Sequence, residues 1–203
     1  MQIVGLVLAA GAAERMGRAK QVLPVGGSTF VARVVDAALA AGLDEVIVVT
    51  GFHAPLVRAA LGERPVRLVQ NPDPGRGNRS SLLAGIGAAG DADAVVVLLA
   101  DQPGIDVGAI RALTSVWRED PAWGAVVVYG GRVAHPFLLS REALGALDEI
   151  AGPRPLWRLL GEERRGRVLR VAVPGPPPRD VNTPEEYAAL LEELGGSAPD
   201  GPE

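Results

Sequence analysis

The chain has 203 residues, 48% of them hydrophobic, which suffices for a proper core and excludes disorder for its body. A net charge of −4 argues against a nucleic-acid binder. The absence of cysteine excludes disulfides, thiol catalysis and thiolate metal sites, and two histidines, His53 and His135, cannot make a His-rich zinc site. Aromatic residues are only 4%, so the core falls to Val, Leu, Ala and Ile, the make-up of α/β proteins with parallel sheets. The start of the chain shows no basic region followed by an apolar stretch, and no apolar run reaches membrane-spanning length. A cytoplasmic protein that engages no membrane is the expectation.

Strands and helices alternate along the sequence. Ile3–Ala9 reads as a buried strand. Ser28 is placed to cap a helix running to Ala41, with Phe30, Val31, Val34, Val35 and Ala38 on one face and Gly42 as its stop. Glu45–Thr50 is a second strand, Pro55–Leu61 a short helix, Val66–Gln70 a third strand and Ser80–Ala89 a helix. Ala94–Ala100 is the most apolar strand and is predicted to be central; Val107–Trp117 follows as a helix. Beyond Pro121 the pattern changes. Ala125–Tyr129 and Arg132–Leu139 flank a Gly130-Gly131 turn as two strands. Helices are predicted at Arg141–Ile150 and Pro155–Glu163, a last strand at Val168–Val173, and a helix at Pro184–Leu194. The rhythm predicts a Rossmann-like, three-layer α/β/α fold on a mostly parallel sheet. Residues 1–194 are expected to form one domain, with 195–203 as a disordered tail.

The most informative stretch is Leu8 to Lys20. A strand ending in a small-residue loop exposes backbone N–H groups, and these, with Arg15 and Lys20 around Gly11, suit a polyphosphate. The spacing is neither that of a Walker A loop nor GxGxxG, and a plain strand–turn–helix with surface cations is the alternative. Asp101, just past the central strand, lies on the edge where open α/β sheets bind ligands. It is suited to Mg²⁺, which takes one or two carboxylates plus phosphate oxygens, or else to capping the next turn. In Arg179–Tyr187, Thr183, Pro184 and Glu186 are explained as a helix cap. Asp180 is not, and is either a second metal carboxylate opposite Asp101 or a plain loop residue. Asn71, Ser80 and Ser81 offer donors and acceptors to a base edge or ribose, or serve a loop with an N-capping Ser. His135 is either structural or a ligand contact.

Taken together, LAAGxxxRMGxxK (Leu8–Lys20), VVTG (Val48–Gly51), NPD (Asn71–Asp73), Ser80-Ser81, LADQP (Leu99–Pro103), GGRVAHP (Gly130–Pro136) and DVNTPEEY (Asp180–Tyr187) resemble, in order, the MobA-like nucleotidyltransferases. The similarity runs from about Ile3 to Leu194 and is closest to the molybdenum cofactor cytidylyltransferase (MocA-like) branch. The resemblance implies Mg²⁺-dependent transfer of CMP from CTP to the terminal phosphate of molybdenum-molybdopterin, with release of pyrophosphate. It implies a transient partner of the xanthine dehydrogenase type, as apo-enzyme or its chaperone. Lys20, Arg15 and Asp101 would be catalytic, with Asp101 and Asp180 holding the metal. Leu8, Ala10, Gly11, Gly51 and Asn71 would frame the nucleotide, Ser80 and Ser81 would meet ribose or base, and His135 would face the acceptor. Guanylyltransferase relatives carry LAGG where this chain has LAAG, so the Ala10 methyl is a candidate discriminator against the larger purine. The branch usually has a second acid where Asn182 stands, which leaves Asn182 in reserve for the metal shell. A GTP-dependent transferase, a different phosphorylated acceptor and a non-catalytic cofactor carrier are the competing readings.

Overall fold

A computed structural model describes residues 1–149, 155–161 and 167–194. A seven-stranded sheet is built from β1 (Ile3–Ala9), β4 (Glu45–Thr50), β5 (Arg67–Gln70), β6 (Ala94–Leu99), β7 (Gly124–Tyr129), β8 (Arg132–Ser140) and β9 (Val168–Val173). The two remaining strands, β2 (Pro24–Val25) and β3 (Ser28–Thr29), pair only with each other. The sheet order is β5-β4-β1-β6-β8-β7-β9, so β6 is the middle strand, as its apolar sequence predicts. β8 runs antiparallel to both neighbours and the other strands run parallel. β1 and β6 are covered on both faces, which is why they read as unbroken apolar runs rather than alternating ones.

The helices are α1 (Phe30–Ala40), α2 (Ala54–Leu61), α3 (Asn78–Ala89), α4 (Val107–Glu119), α5 (Arg141–Gly145), α6 (Pro155–Gly161) and α7 (Pro184–Glu193). On one face of the sheet, α1 and α4 bury Val31, Val35, Ile110 and Leu113 against Val7, Val48 and Val96. On the other, Leu82 of α3 joins Leu6, Ile47, Val95 and Phe137. A third apolar cluster lies off the sheet: Met16, Leu23, Val25 and Phe30 pack on Val181, Tyr187, Leu190 and Leu191. It carries the site, because its members alternate in sequence with Lys20 on one segment and with Asp180 and Asn182 on the other. Tyr187 closes it, with its hydroxyl donating to the Pro24 carbonyl at 2.6 Å and Arg18 over its ring at 5.6 Å.

Several local expectations change. The α1 cap is Thr29, whose Oγ1 accepts from Ala32 N–H, because Ser28 is taken up pairing with Val25 in the small β2–β3 hairpin. α3 starts at Asn78, so Ser80 is inside the helix and caps nothing; its hydroxyl donates back to the carbonyls of Gly77 and Asp73. The expected helix from Arg141 to Ile150 is a short α5 that tightens into a 3₁₀ turn at Ala146–Glu149, after the poor helix former Gly145. Ile150, the end of the helix expected to reach Glu163 and the 195–203 tail lie outside the described residues. The Gly130-Gly131 turn takes positive φ at both positions, as a two-residue hairpin requires. Thr183, Pro184 and Glu186 form a complete capping box on α7. Among the described residues no helix is long and apolar enough to cross a membrane.

Candidate active site

The carboxyl ends of β1, β4, β5 and β6 converge on one edge of the sheet, and the loops leaving them carry the polar residues of the site. The loop after β1 leads to a 3₁₀ turn at Glu14–Met16, with Ala13 held at φ 58°, a left-handed conformation unusual for a residue with a side chain. Among the described residues, the backbone N–H groups of Ala12, Ala13, Glu14 and Arg15 have no protein acceptor. With Gly11, Lys20 and Asn182 this segment lines a pocket of about 340 Å³. Unpaired amides, two cations and a glycine around one hollow make an anion cradle.

Lys20 joins the cradle to the acidic edge. Its Nζ lies 2.5 Å from Asp101 Oδ2 and 2.8 Å from Asn182 Oδ1, in a half-buried setting. An ammonium group has three protons, so this pair leaves one for the hollow that Lys20 lines. The loop after β9 is pinned to the same point, since Val181 N–H donates to the Asp101 carbonyl at 3.1 Å. Asp180 accepts from Gln102 Nε2 at 2.6 Å. Burial pushes the Asp180 carboxyl above the usual range; Gln102 and Lys20 oppose this, and the negative charges of Asp101 and Glu186 reinforce it. Two mutually repelling carboxylates beside an anion cradle match the donor set of a Mg²⁺-type cation, which takes one or two carboxylates and completes its shell with phosphate oxygens and water. Among the described residues no group of three or more acidic or histidine ligands occurs, so no all-protein metal cage competes with that reading. Asn182 is engaged by Lys20 through its side chain and by Glu186 through its backbone N–H.

On the far side of Asp180 and Gln102 opens a larger cleft of about 410 Å³. Leu8, Leu82 and Leu99 form its apolar floor, Arg132 and Asn78 its polar rim, and Trp157 a half-exposed aromatic wall standing edge-on to Phe137 at 5.0 Å. His135 also lines the cleft, from a bulge: Val126 and Val127 of β7 pair with Phe137 and Ala134, skipping His135 and Pro136. The residue is 9% exposed, its ring centroid lies 4.1 Å from that of Phe137, and its Nδ1 is 3.4 Å from the Val97 carbonyl. Burial lowers its pKa to about 4, against the raising effects of the Val97 bond and of Asp101.

The remaining sequence-selected residues sit differently. Ala10 is buried, and a Cβ built on Gly51 would come within 2.6 Å of the Ala10 carbonyl and 2.8 Å of its methyl, so these two residues form one tightly packed shelf between strand ends. Asn71 is buried and its amide donates to the hydroxyls of both Ser80 and Ser81, while its Oδ1 accepts from Asp73 N–H. Gln21 and His53 fall outside the sequence reading. Gln21 Nε2 donates to the Gly11 carbonyl at 2.7 Å, and His53 Nε2 lies 3.0 Å from the Ala12 carbonyl. A polar Gln21 leading the otherwise apolar Val22-Leu23 is a signal for such a role; His53 offers none beyond following Gly51. Arg132 lies inside the GGRVAHP motif without having been singled out, Trp157 carries no local motif, and the folded hairpin and α6 bring the two to the cleft.

Comparison with known proteins agrees with this geometry. Residues 5–168 match the family model described as a MobA-like NTP transferase domain. Purine catabolism protein PucB of Bacillus subtilis is 30% identical over 201 residues, covering 91% of this chain and 94% of that protein. Nicotine blue oxidoreductase of Paenarthrobacter nicotinovorans is 40% identical over 112 residues, a match that spans just over half of either chain, 55% of each. The crystal structure of Rv0371c from Mycobacterium tuberculosis H37Rv in complex with manganese is similar at 33% identity and a TM-score of 0.81, covering 95% of this chain and 99% of that one. A loop of free amides at the strand ends, an acidic edge beside it and a family match over most of the sheet lead to one assignment: the chain belongs to the MobA-like NTP transferases and has their nucleotidyltransferase fold.

Proposed function

We propose that the protein is a molybdenum cofactor cytidylyltransferase, transferring CMP from CTP to the terminal phosphate of molybdenum-molybdopterin and releasing pyrophosphate. The observation that carries this reading is the contact of Lys20 with both Asp101 and Asn182, which joins the amide-lined cradle to the acidic edge. A nucleoside triphosphate bound with its β- and γ-phosphates in the cradle would bring its α-phosphate toward Asp101 and leave the larger cleft beyond Asp180 for a second substrate. The half-exposed Trp157 and the cationic rim residue Arg132 suit a planar, phosphorylated acceptor. Nicotine blue oxidoreductase is named for a different reaction, but a triphosphate cradle favours transfer chemistry here.

The acceptor's phosphate oxygen is already a nucleophile, so the chain's residues need not abstract a proton. That oxygen forms a bond to the α-phosphorus as the α–β bridging bond breaks, and the electron pair leaves on pyrophosphate. Lys20, Arg15 and the free amides of Ala12–Arg15 bind the leaving group and stabilise its growing charge. Asp101 and Asp180 would hold a divalent cation, Mg²⁺ in our reading, which when bound supplies Lewis-acid neutralisation of the phosphoryl oxygens. Leu8 and the shelf of Ala10 and Gly51 frame the base, with Asn71, Ser80 and Ser81 behind it. His135 bounds the acceptor side. The CTP preference rests on the Ala10 methyl, a difference worth ~1–3 kcal/mol of discrimination.

The test is pyrophosphate release by the purified chain with Mg²⁺ and molybdenum-loaded molybdopterin, comparing CTP with GTP, ATP and UTP. Release with CTP alone supports the reading. A GTP preference keeps the chemistry and overturns the base assignment. Absence of release with every nucleotide moves the protein to another phosphorylated acceptor or to a carrier role.

A further inference from the structure

We infer that Gln21 and His53 are positioning residues that aim the phosphate-binding amides of the loop after β1, an inference that rests on the nucleotidyl-transfer reading above. Each holds one of two consecutive carbonyls: Gln21 that of Gly11 at 2.7 Å, His53 that of Ala12 at 3.0 Å. A carbonyl only accepts, so the Gln21 amide nitrogen and a protonated His53 Nε2 must face them. Among the described residues the one cis peptide is His135–Pro136, so both peptide groups of the loop are trans. In a planar trans peptide the C=O and N–H point in opposite directions. Turning the Gly11 carbonyl toward Gln21 therefore turns the Ala12 N–H away from it, and His53 does the same for the Ala13 N–H.

Neither Gln21 nor His53 lines the hollow formed by Gly11, Ala12, Ala13, Glu14, Arg15, Lys20 and Asn182. They stand behind the loop, and the two amides they aim have no protein acceptor. Two further features show that the arrangement is held rather than relaxed. Ala13 takes left-handed backbone angles that a side chain disfavours, so the adjoining peptide needs an external hold. Gln21 is 2% exposed, and its Oε1 is buried with no partner: the amide satisfies Gly11 at the expense of its own oxygen. The hold comes from two directions, Gln21 from the turn after the loop and His53 from the residue preceding α2.

The experiment measures the affinities of CTP and GTP, and of CMP and GMP, for the full chain with Mg²⁺ by calorimetry, in the wild type and in Q21E, H53F and H53Q. Q21E keeps the side chain's shape but puts a carboxylate where the donor was, so the charge-neutral H53F, which keeps a ring and loses the donor, is read beside it; H53Q keeps a donor in place of Nε2. For the nucleotide that binds, the triphosphate dissociation constant should rise about tenfold or more in Q21E and H53F, while the monophosphate constant stays within about twofold. H53Q should recover most of the loss, a rescue that a merely structural role would not give. If Q21E does not fold, H53F and H53Q decide. An unchanged ratio of triphosphate to monophosphate affinity in the variants overturns the positioning role and leaves the function standing. A wild type that does not favour triphosphate over monophosphate overturns the nucleotidyl-transfer reading, and this inference with it.

Discussion

Two loops leave parallel strands on either side of β4, those after β1 and β5, at the same edge of the sheet, and they differ in what their polar groups are doing. In the loop after β1 the amides of Ala12 to Arg15 have no partners among the described residues, and Gln21 and His53 hold the two carbonyls that oppose the first two of them. In the loop after β5, Asn71 is bonded to Ser80, Ser81 and Asp73, and Ser80 is bonded to two carbonyls. Both segments have the residue types of a ligand site. The first sets a run of four consecutive amides free, beside a strained Ala13 and an orphaned Gln21 oxygen, whereas the side chains of the second are spent on one another. Polar residues at a strand's carboxyl end thus locate a site, whereas unsatisfied ones identify what will touch the ligand.

The sharpest way to break this contrast is at the acidic end of the first loop's network. Asp101→Asn removes a charge beside Lys20 without changing shape, so turnover should fall by about 10²–10³-fold with an unchanged melting temperature. Turnover above a tenth of the wild-type rate would remove Asp101 from the metal role. Lys20→Ala should act on the triphosphate instead, raising its KM; an unchanged triphosphate affinity ends that assignment.

His135 belongs with the engaged groups, and its test is one of stability. Its folded pKa of about 4 lies below the unfolded value near 6.5, so the fold favours the neutral ring. Its contribution is complete above the unfolded pKa and is lost as pH falls toward the folded one. Between pH 7 and pH 5 that loss amounts to roughly 2 kcal/mol. His135→Gln should shrink the difference in urea midpoint between those two pH values; an unchanged difference means that the ring is protonated without cost and is not held as described.

Much of this was legible in sequence because it depends on local chemistry. Unbroken apolar runs marked β1 and β6, two glycines marked the β7–β8 turn, and Thr183, Pro184 and Glu186 spelled out a cap. Asp101 and Asp180 were legible as edge carboxylates, but the Gln102 bond and the raised Asp180 pKa depend on a loop 78 residues away in the chain. The state of Asn71 was not legible, since an amide looks the same whether it awaits a base or already bonds two serines. The β2–β3 hairpin escaped because two-residue strands carry no periodicity, and with it went the right cap for α1.

Asn71→Ala tests the engaged loop directly. It strips a partner from the buried Ser81 hydroxyl and frees the turn to Asp73, which should cost ~1–3 kcal/mol of stability in a urea melt. If the loop is as self-satisfied as its bonds indicate, triphosphate affinity should change less than in Q21E. A variant of wild-type stability and lost affinity would instead make Asn71 a direct ligand contact and erase the distinction between the loops.

Gly11 and Gly51 restate the contrast within single residues. A methyl on Gly51 would meet the Ala10 carbonyl at 2.6 Å, so Gly51→Ala should destabilise the fold by ~1–3 kcal/mol whatever it does to binding. Gly11 has no positive φ, and a methyl there would meet only the Gln21 amide nitrogen at 3.7 Å, an ordinary contact. The fold therefore gives no reason for glycine at position 11, whereas the close approach of a phosphate to the backbone, on the proposed reading, would. Gly11→Ala should leave the melting temperature within a degree or two and weaken triphosphate binding by about tenfold, ~1.4 kcal/mol. Should Gly11→Ala melt early and bind normally, the glycine serves the chain rather than the ligand, and the free amides beside it need another explanation.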